Sequence, residues 1–419
     1  MFRDNVVGII LAGGKKSGLK YLTSDVRAQS AVPFGGKFRI IDFVMSGFFN
    51  SYIKKLYVLV QDKSISLSEH LQANWGPRFG FGDEFFRVIG PVPPNWQKGS
   101  ADSVWQMSDN LRVDKPDYIA VFGGEQISNI DVRKMLEFHK KNDADLTISS
   151  LKYPIEKASG RFGIINSDKE GVISSFSEKT ENPTPIDKDS EYTKISLGNY
   201  IFKTDVLLKV LEEDSKLSDE ESAHDFGRNI IPKMFESKEY KICEYDIENC
   251  DYSYWYPMGN YDDYLKASVE FLDSESKLGS YDQNWPIYST NTDNLPPARI
   301  VDSSSIKQAI ISDGCVVNAK KVETSILFPN VRVGEKSTLN KAILFNDVQV
   351  GDDCVLENVI ADKRCVFPSG ITIKNGKMTK SKKFDPKDQE AYERLESKLH
   401  FTESNIAVVS CYHDYSDRV

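Results

Sequence analysis

The stretch KAILFNDVQVGDDCVLENVIADKRCVF (341–367) decides the fold of the C-terminal third of the chain. Branched apolar residues recur at every second or third place, and Gly, Asn or Asp punctuates them roughly every sixth. The same rhythm runs through AIISDGCVV (309–317), TSILFPNVRVGE (324–335) and GITI (370–373). A hexapeptide-like period of this kind predicts a parallel β-helix, in which each coil stacks Ile, Val or Leu on the next. An ordinary β-sandwich would want longer strands and hairpin turns. The β-helix is therefore expected over about residues 300–375.

Upstream, SYDQNWPIYSTNTDNLPPARI (280–300) carries the Asn, Thr and Pro of a linker. Before it the texture changes again. VVGIILA (6–12), KKLYVLVQ (54–61), DYIAVFG (117–123) and ADLTISSL (144–151) are short, branched and apolar, as parallel strands buried on both faces should be. Amphipathic stretches at 42–53, 100–112 and 131–141 lie between them, the last behind a capping Asn129-Ile130-Asp131. Strand and helix in alternation indicate a mostly parallel α/β sheet, with functional loops at the C-terminal strand ends. The expected organisation is an α/β domain at 1–279, a linker at 280–300 and a β-helix domain with C-terminal tail at 301–419. DPKDQEAYERLESKLH (385–400) in that tail reads as a helix.

With 419 residues, 40% hydrophobic and 27% charged, the composition is that of a two-domain globular protein. A net charge of −9 argues against nucleic acid as partner, since that binding rests on Lys and Arg neutralising phosphates. None of the six cysteines forms a CxxC, and no His stands at zinc-finger spacing from them, so no zinc site is expected. Cys315, Cys354 and Cys365 fall in the repeat where small apolar residues are wanted and are read as packing residues. MFRDNVVGIILAGG turns polar after about eight apolar positions. That suits a buried strand rather than a signal peptide or membrane span, so the cytoplasm is the expected compartment and no membrane partner is expected.

Leu11-Ala12-Gly13-Gly14 closes the first strand in a glycine turn, where backbone N–H groups can approach a phosphate chain. Alone this is only a turn. Beyond it stand VPFGGKFRIIDFVMS (32–46), NWQKGSADSVWQ (95–106), FSEKTENP (176–183), SLGNYIF (196–202), AHDFGRNIIP (223–232), YDQNWPI (281–287) and NLPPA (294–298). In this order they resemble the ADP-glucose pyrophosphorylases (glucose-1-phosphate adenylyltransferases), over about residues 6–375.

That resemblance implies a Rossmann-like nucleotidyltransferase domain followed by a left-handed β-helix. It implies ATP and glucose 1-phosphate as substrates, ADP-glucose and pyrophosphate as products, and a place in glycogen or starch synthesis. Catalysis of this type is positioning and charge stabilisation, with Mg²⁺ held by two aspartates. Carried over by position, Gly163, Glu178, Lys179, Ser196 and Asp225 form the sugar-phosphate site. His224 and Asp225 are read as holding the sheet edge and pocket wall rather than as a base. Leu11, Ala12, Gly13 and Gly14 with Gly99, Ser100, Ala101 and Asp102 form the nucleotide site. Arg27, Arg39 and Lys363 match basic residues that bind an anionic metabolite effector, and the family's tetramers imply a homo- or hetero-tetramer.

The nucleotide and metal side departs from the family pattern. Where the family loop reads Gly-Gly-Arg-Gly-Thr-Arg-Leu, this chain has Gly13-Gly14-Lys15-Lys16-Ser17-Gly18-Leu19. Lys15 and Lys16 supply charge as the candidate catalytic cations, but not the bidentate fork of Arg. A family Lys is replaced by Gln29, and a sugar-contacting aromatic by Gln97. At the metal, one family Asp has become Glu125 and the other Pro257, which has no side-chain oxygen. The expected chain binds glucose 1-phosphate but is weakly active or regulatory, with Glu125 its candidate catalytic residue and metal ligand. Three alternatives stand beside it: a fully active adenylyltransferase, a nucleotidyltransferase for another sugar phosphate, and a scaffold with an empty pocket.

Overall fold

The computed structural model describes residues 5–14, 17–23, 27–61, 64–80, 82–91, 96–187, 190–289 and 294–410. They fall into two compact units. The first comprises Met1–Gly13, Phe43–Asp62 and Trp75–Trp255; the second Gly14–Asp42, Lys63–Asn74 and Tyr256–Val419.

The first unit is built on a nine-stranded sheet. Val6–Leu11 lies at its centre, parallel to Lys55–Leu59 on one side and Tyr118–Gly123 on the other. Phe85–Ile89 continues the parallel run beyond Lys55–Leu59. These are the apolar runs read from the sequence, and Val7, Ile9, Leu56 and Val121 are wholly buried, as strands covered on both faces require. The parallel order is interrupted at two strands. Tyr192–Lys203 runs antiparallel to both Tyr118–Gly123 and Leu146–Pro154, shifting register between Ser196 and Tyr200. The antiparallel hairpin Gly163–Ser167 and Ile173–Glu178 extends the sheet beyond it.

The stretch read as one helix over 100–112 is two, Ser100–Trp105 and Ser108–Asp114. Met107 leaves helical geometry between them and is buried in the core. Val132–Lys141 starts at the expected cap, with Asp131 accepting from Arg133 N (2.9 Å) and Lys134 N (3.4 Å).

The second unit carries the left-handed parallel β-helix. Successive coils pair in parallel, Val322 with Leu339, Leu339 with Leu356 and Leu356 with Ile373, and each of these residues is wholly buried. Cys315, Cys354 and Cys365 are buried among them, as packing residues. The polar punctuation has a backbone cause. At equivalent turns of successive coils the chain goes left-handed, at Asn330 (φ 68°), Asp347 (64°) and Arg364 (61°), and again at Lys336 (59°), Asp353 (52°) and Gly370 (78°). Gly, Asn and Asp tolerate that region best. In the tail, the helix is Gln389–Ser397, shorter than the 385–400 read from the sequence because Pro386–Asp388 forms a 3₁₀ turn before it.

The early segment of the chain is part of this unit. Ser312 Oγ donates to the Gly36 carbonyl (2.8 Å), Tyr264 OH to the Pro33 carbonyl (2.6 Å), and Arg27 Nη1 to Asp362 Oδ1 (2.7 Å). Arg27 and Asp362 are 2% and 0% exposed, so neither charge has water to fall back on. Arg27→Ala should therefore cost about 3–5 kcal/mol, because it strands a buried carboxylate. The double change Arg27→Met with Asp362→Leu should cost far less. Urea unfolding of both variants checks this, and equal losses would contradict it.

Candidate functional site

The sugar-side residues come together in the first unit. Glu178 ends the strand Ile173–Glu178 and pairs across the hairpin with Gly163. A Cβ on Gly163 or on Gly227 would each lie 2.9 Å from Glu178 Oε2. The carboxylate thus occupies space that only glycine leaves. Burial raises its pKa, Lys179 opposing and Asp225 adding to the rise. Lys179 has a left-handed backbone (φ 50°) and holds its ammonium 3.9 Å from Glu178 Oε1, with its side chain 47% exposed. So long and wet a contact is weak and can be exchanged for a ligand phosphate.

Asp225 Oδ1 accepts from Gly227 N (3.0 Å) and Arg228 N (3.1 Å), capping the turn that follows. Its Oδ2 accepts from Ser100 Oγ (2.9 Å). Ser196 is buried where Tyr192–Lys203 shifts register. Tyr200 joins these residues and was missed in the sequence, although it stands inside SLGNYIF. Its hydroxyl is bonded to Ser196, and burial together with the Glu178 and Asp225 charges pushes its pKa far up. Its ring packs on Phe226, with centroids 5.5 Å apart. A buried, protonated phenol beside two carboxylates and a serine is a hydrogen-bonding wall suited to a polyol.

On the nucleotide side of the same unit, Leu11 pairs with Leu59 and Gly123, and Ala12 N donates to the Leu59 carbonyl (2.8 Å). Gly124 N donates to the Leu11 carbonyl (2.8 Å), which brings half-buried Glu125 to the end of the central strands. Gly99 precedes the helix Ser100–Trp105, where Asp102 Oδ2 accepts from Lys98 N (2.9 Å) and Gln106 Nε2 (2.8 Å). Gln97 is buried; its Oε1 accepts from Ser103 Oγ (3.1 Å) and its carbonyl from Gln61 Nε2 (2.9 Å). The residue in the aromatic's place therefore braces the loop. Gln126 is pinned likewise, donating to Asn199 Oδ1 (2.6 Å) and accepting from the Trp255 indole.

Gly14, which is exposed, and Gly18 belong to the second unit; Lys15 and Lys16 lie outside the described residues. Gln29 Oε1 accepts from Ser17 Oγ (2.7 Å) and Gly18 N (3.1 Å), while Gln29 Nε2 donates to the Met258 carbonyl (2.9 Å). Gly18 lies so close to the next residue of that segment that a Cβ would sit 1.8 Å from the Gly259 carbonyl oxygen. The two changes read separately in the sequence are one packed arrangement. Pro257, in the strand Tyr254–Pro257, brings no side-chain oxygen. Among the described residues, no three His, Cys, Asp or Glu side chains gather as a metal cluster. Of the two positions that the resemblance assigns to the metal, Glu125 keeps a carboxylate and Pro257 does not.

The basic residues Arg27, Arg39 and Lys363 are electrostatic neighbours in the second unit. Arg39 Nη1 donates to the Ser66 carbonyl (2.7 Å) and Oγ (3.1 Å). Lys363 has its pKa lowered to about 8, by burial first and then by repulsion from Arg27 and Arg39, with Asp362 opposing. Arg27 is the least accessible of the three, its guanidinium bonded to Asp362 and to the Leu22 carbonyl (3.0 Å). No helix among the described residues is long and apolar enough to cross a membrane.

Known proteins agree with this architecture. The nucleotidyl transferase family matches residues 7–274, and the GlmU-like C-terminal hexapeptide family residues 296–390. The chain is similar to glucose-1-phosphate adenylyltransferase 2 of Pseudoalteromonas atlantica, 36% identical over 87% of this chain and 88% of the relative. It is also similar to glucose-1-phosphate adenylyltransferase of Nitrosospira multiformis, 34% identical over 97% of this chain and 94% of the relative. The match to the Saccharophagus degradans protein of that name is 36% over 88% of each. With both domain families in order and this identity over nearly its whole length, the chain belongs to the glucose-1-phosphate adenylyltransferase family.

Proposed function

We propose that this chain binds glucose 1-phosphate and an adenine nucleotide, ATP or ADP-glucose, and turns them over slowly, as a regulatory member of its family. The family reaction is attack of the sugar phosphate oxygen on the α-phosphorus of ATP, with pyrophosphate leaving. Glu178, Asp225, Ser196 and Tyr200 receive the sugar hydroxyls, and the Lys179 ammonium neutralises its phosphate. The turn after Leu11 and the loop Gly99–Asp102 are assigned to the nucleotide.

The observation that carries slow turnover is the clamp at Gln29. A family Lys and a family Arg would bring two positive charges to the triphosphate. Here Gln29 is neutral and spends both ends of its amide on Ser17, Gly18 and Met258, and Gly18 has no room for a side chain. Divalent metal use is common in this family, and Glu125 is the carboxylate this chain offers for Mg²⁺. The second reading is an ordinary active adenylyltransferase, favoured by the names of relatives 34–36% identical. Cytoplasmic location, tetrameric assembly and an anionic effector at Arg27, Arg39 and Lys363 complete the proposal.

Binding and turnover test it. Lys179→Ala should weaken glucose 1-phosphate binding by about 1.5–3 kcal/mol, the size of a charge-assisted contact, measured by calorimetry. Unchanged affinity would remove Lys179 from the site.

Purified alone with ATP, Mg²⁺ and glucose 1-phosphate, the chain should release pyrophosphate with kcat below the ordinary range of about 1–10³ s⁻¹. Gly18→Arg alone should lower stability without raising the rate, since its Cβ meets the Gly259 carbonyl. Gln29→Lys, Glu125→Asp and Pro257→Asp together should exceed every single change. A wild-type rate inside the ordinary range establishes the second reading.

Lys363 predicts a pH dependence. Its folded pKa of about 8 lies below its ordinary 10.5, so the unfolded chain binds more protons between those values and stability rises with pH there. Lys363→Gln should stabilise the protein at pH 7 by about 1 kcal/mol, because it removes a largely buried charge, and lose that advantage above roughly pH 10. Thermal melts across that range decide it, and a pH-independent effect would contradict the assignment.

A further inference from the structure

His224 takes no part in the chemistry described above, yet it sits where the two halves of the first unit's site meet. It is 3% exposed and has left-handed backbone (φ 51°), a conformation costly for a residue other than glycine. Asp214, also 3% exposed, holds it there through Nδ1 at 2.7 Å. Ser222 locks the arrangement by donating to Asp214 Oδ1 (2.7 Å) and accepting from His224 N (3.0 Å). An ionised Asp214 only accepts, so Nδ1 carries the proton.

The left-handed turn aims the His224 carbonyl at the start of Ser100–Trp105, where it accepts from Ala101 N (2.8 Å) and Asp102 N (3.3 Å). Those amides would otherwise be orphan donors at a helix start. The same turn delivers the next residue, Asp225, to Ser100 Oγ, and Ser100 Oγ in turn accepts from Phe226 N (3.0 Å). One side chain thereby fixes both the loop assigned to nucleotide phosphates and the carboxylate assigned to the sugar.

We propose that His224 is a positioning residue, which through Asp214 and Ser222 sets the geometry of Asp225 and of the Ser100–Asp102 turn for glucose 1-phosphate. The role rests on the sugar-phosphate reading above. It predicts a loss that follows the Nδ1 hydrogen bond rather than the imidazole ring.

The test is glucose 1-phosphate affinity of the full chain by calorimetry, beside ligand-free amide hydrogen exchange of peptides covering residues 99–106. His224→Ala should weaken binding about tenfold and speed exchange at Ala101 and Asp102. His224→Asn, which tolerates left-handed backbone and can donate to Asp214, should restore most of both. A folded His224→Ala that binds like wild type, or an Asn variant as impaired as the Ala variant, overturns the role. Should His224→Ala fail to fold, Ser222→Ala serves instead; about threefold weaker binding is expected, and unchanged affinity and exchange overturn the role. If the wild-type chain does not bind glucose 1-phosphate at all, the sugar-phosphate reading falls. The exchange result then judges the His224 geometry by itself.

Discussion

Asp362 is wholly buried in the β-helix, and a guanidinium from 335 residues earlier in the chain meets its carboxylate. An unpaired carboxylate could not stay in that place, so the coil is committed to the arrival of Arg27. That commitment fixes what lies on either side. Tyr21, in the same early segment, stacks on His400 with centroids 3.7 Å apart and donates its N–H to Tyr261 (2.7 Å). Gln29 two residues beyond Arg27 ties down Ser17 and Gly18. The segment that bears the family's phosphate-binding loop is thus built into the second unit.

The consequence for chemistry follows from that packing. Charges that neutralise a triphosphate must be mobile enough to reach it, or be already aimed at it. The two positions proposed above to lack such charges hold a glycine against a carbonyl and a glutamine with both amide ends bonded. The proposed sugar side follows the opposite logic. Glu178 sits in space left open by Gly163 and Gly227, and burial gives its carboxylate a reason to accept hydrogen bonds from a ligand. A binding pocket tolerates such desolvation because the ligand replaces the lost water.

Much of the site was legible because its residues lie in short, ordered motifs. Glu178 and Lys179 in FSEKTENP, Asp225 in AHDFGRNIIP and Ser100 in NWQKGSADSVWQ are brought together in the first unit. Tyr200 went unnoticed because a tyrosine in an apolar strand reads as core. Only its contact with Ser196 across the register shift marks it as polar lining. Gln29 and Gly18 were legible as departures from a pattern, but their mutual contact was not.

The sequence by itself determined the local repeats: the two-residue period of the buried strands, and the hexapeptide rhythm whose Asn, Asp and Gly mark left-handed turns. It did so because side-chain alternation and backbone sterics act over a few residues. Only tertiary structure decided that Arg27 meets Asp362, that Ser312 holds Gly36, and that His224 caps a helix 123 residues earlier in the chain. Those pairings depend on which distant groups become buried together. A buried charge or an orphan amide takes whichever partner the fold brings within about 3 Å, and no local pattern records that choice.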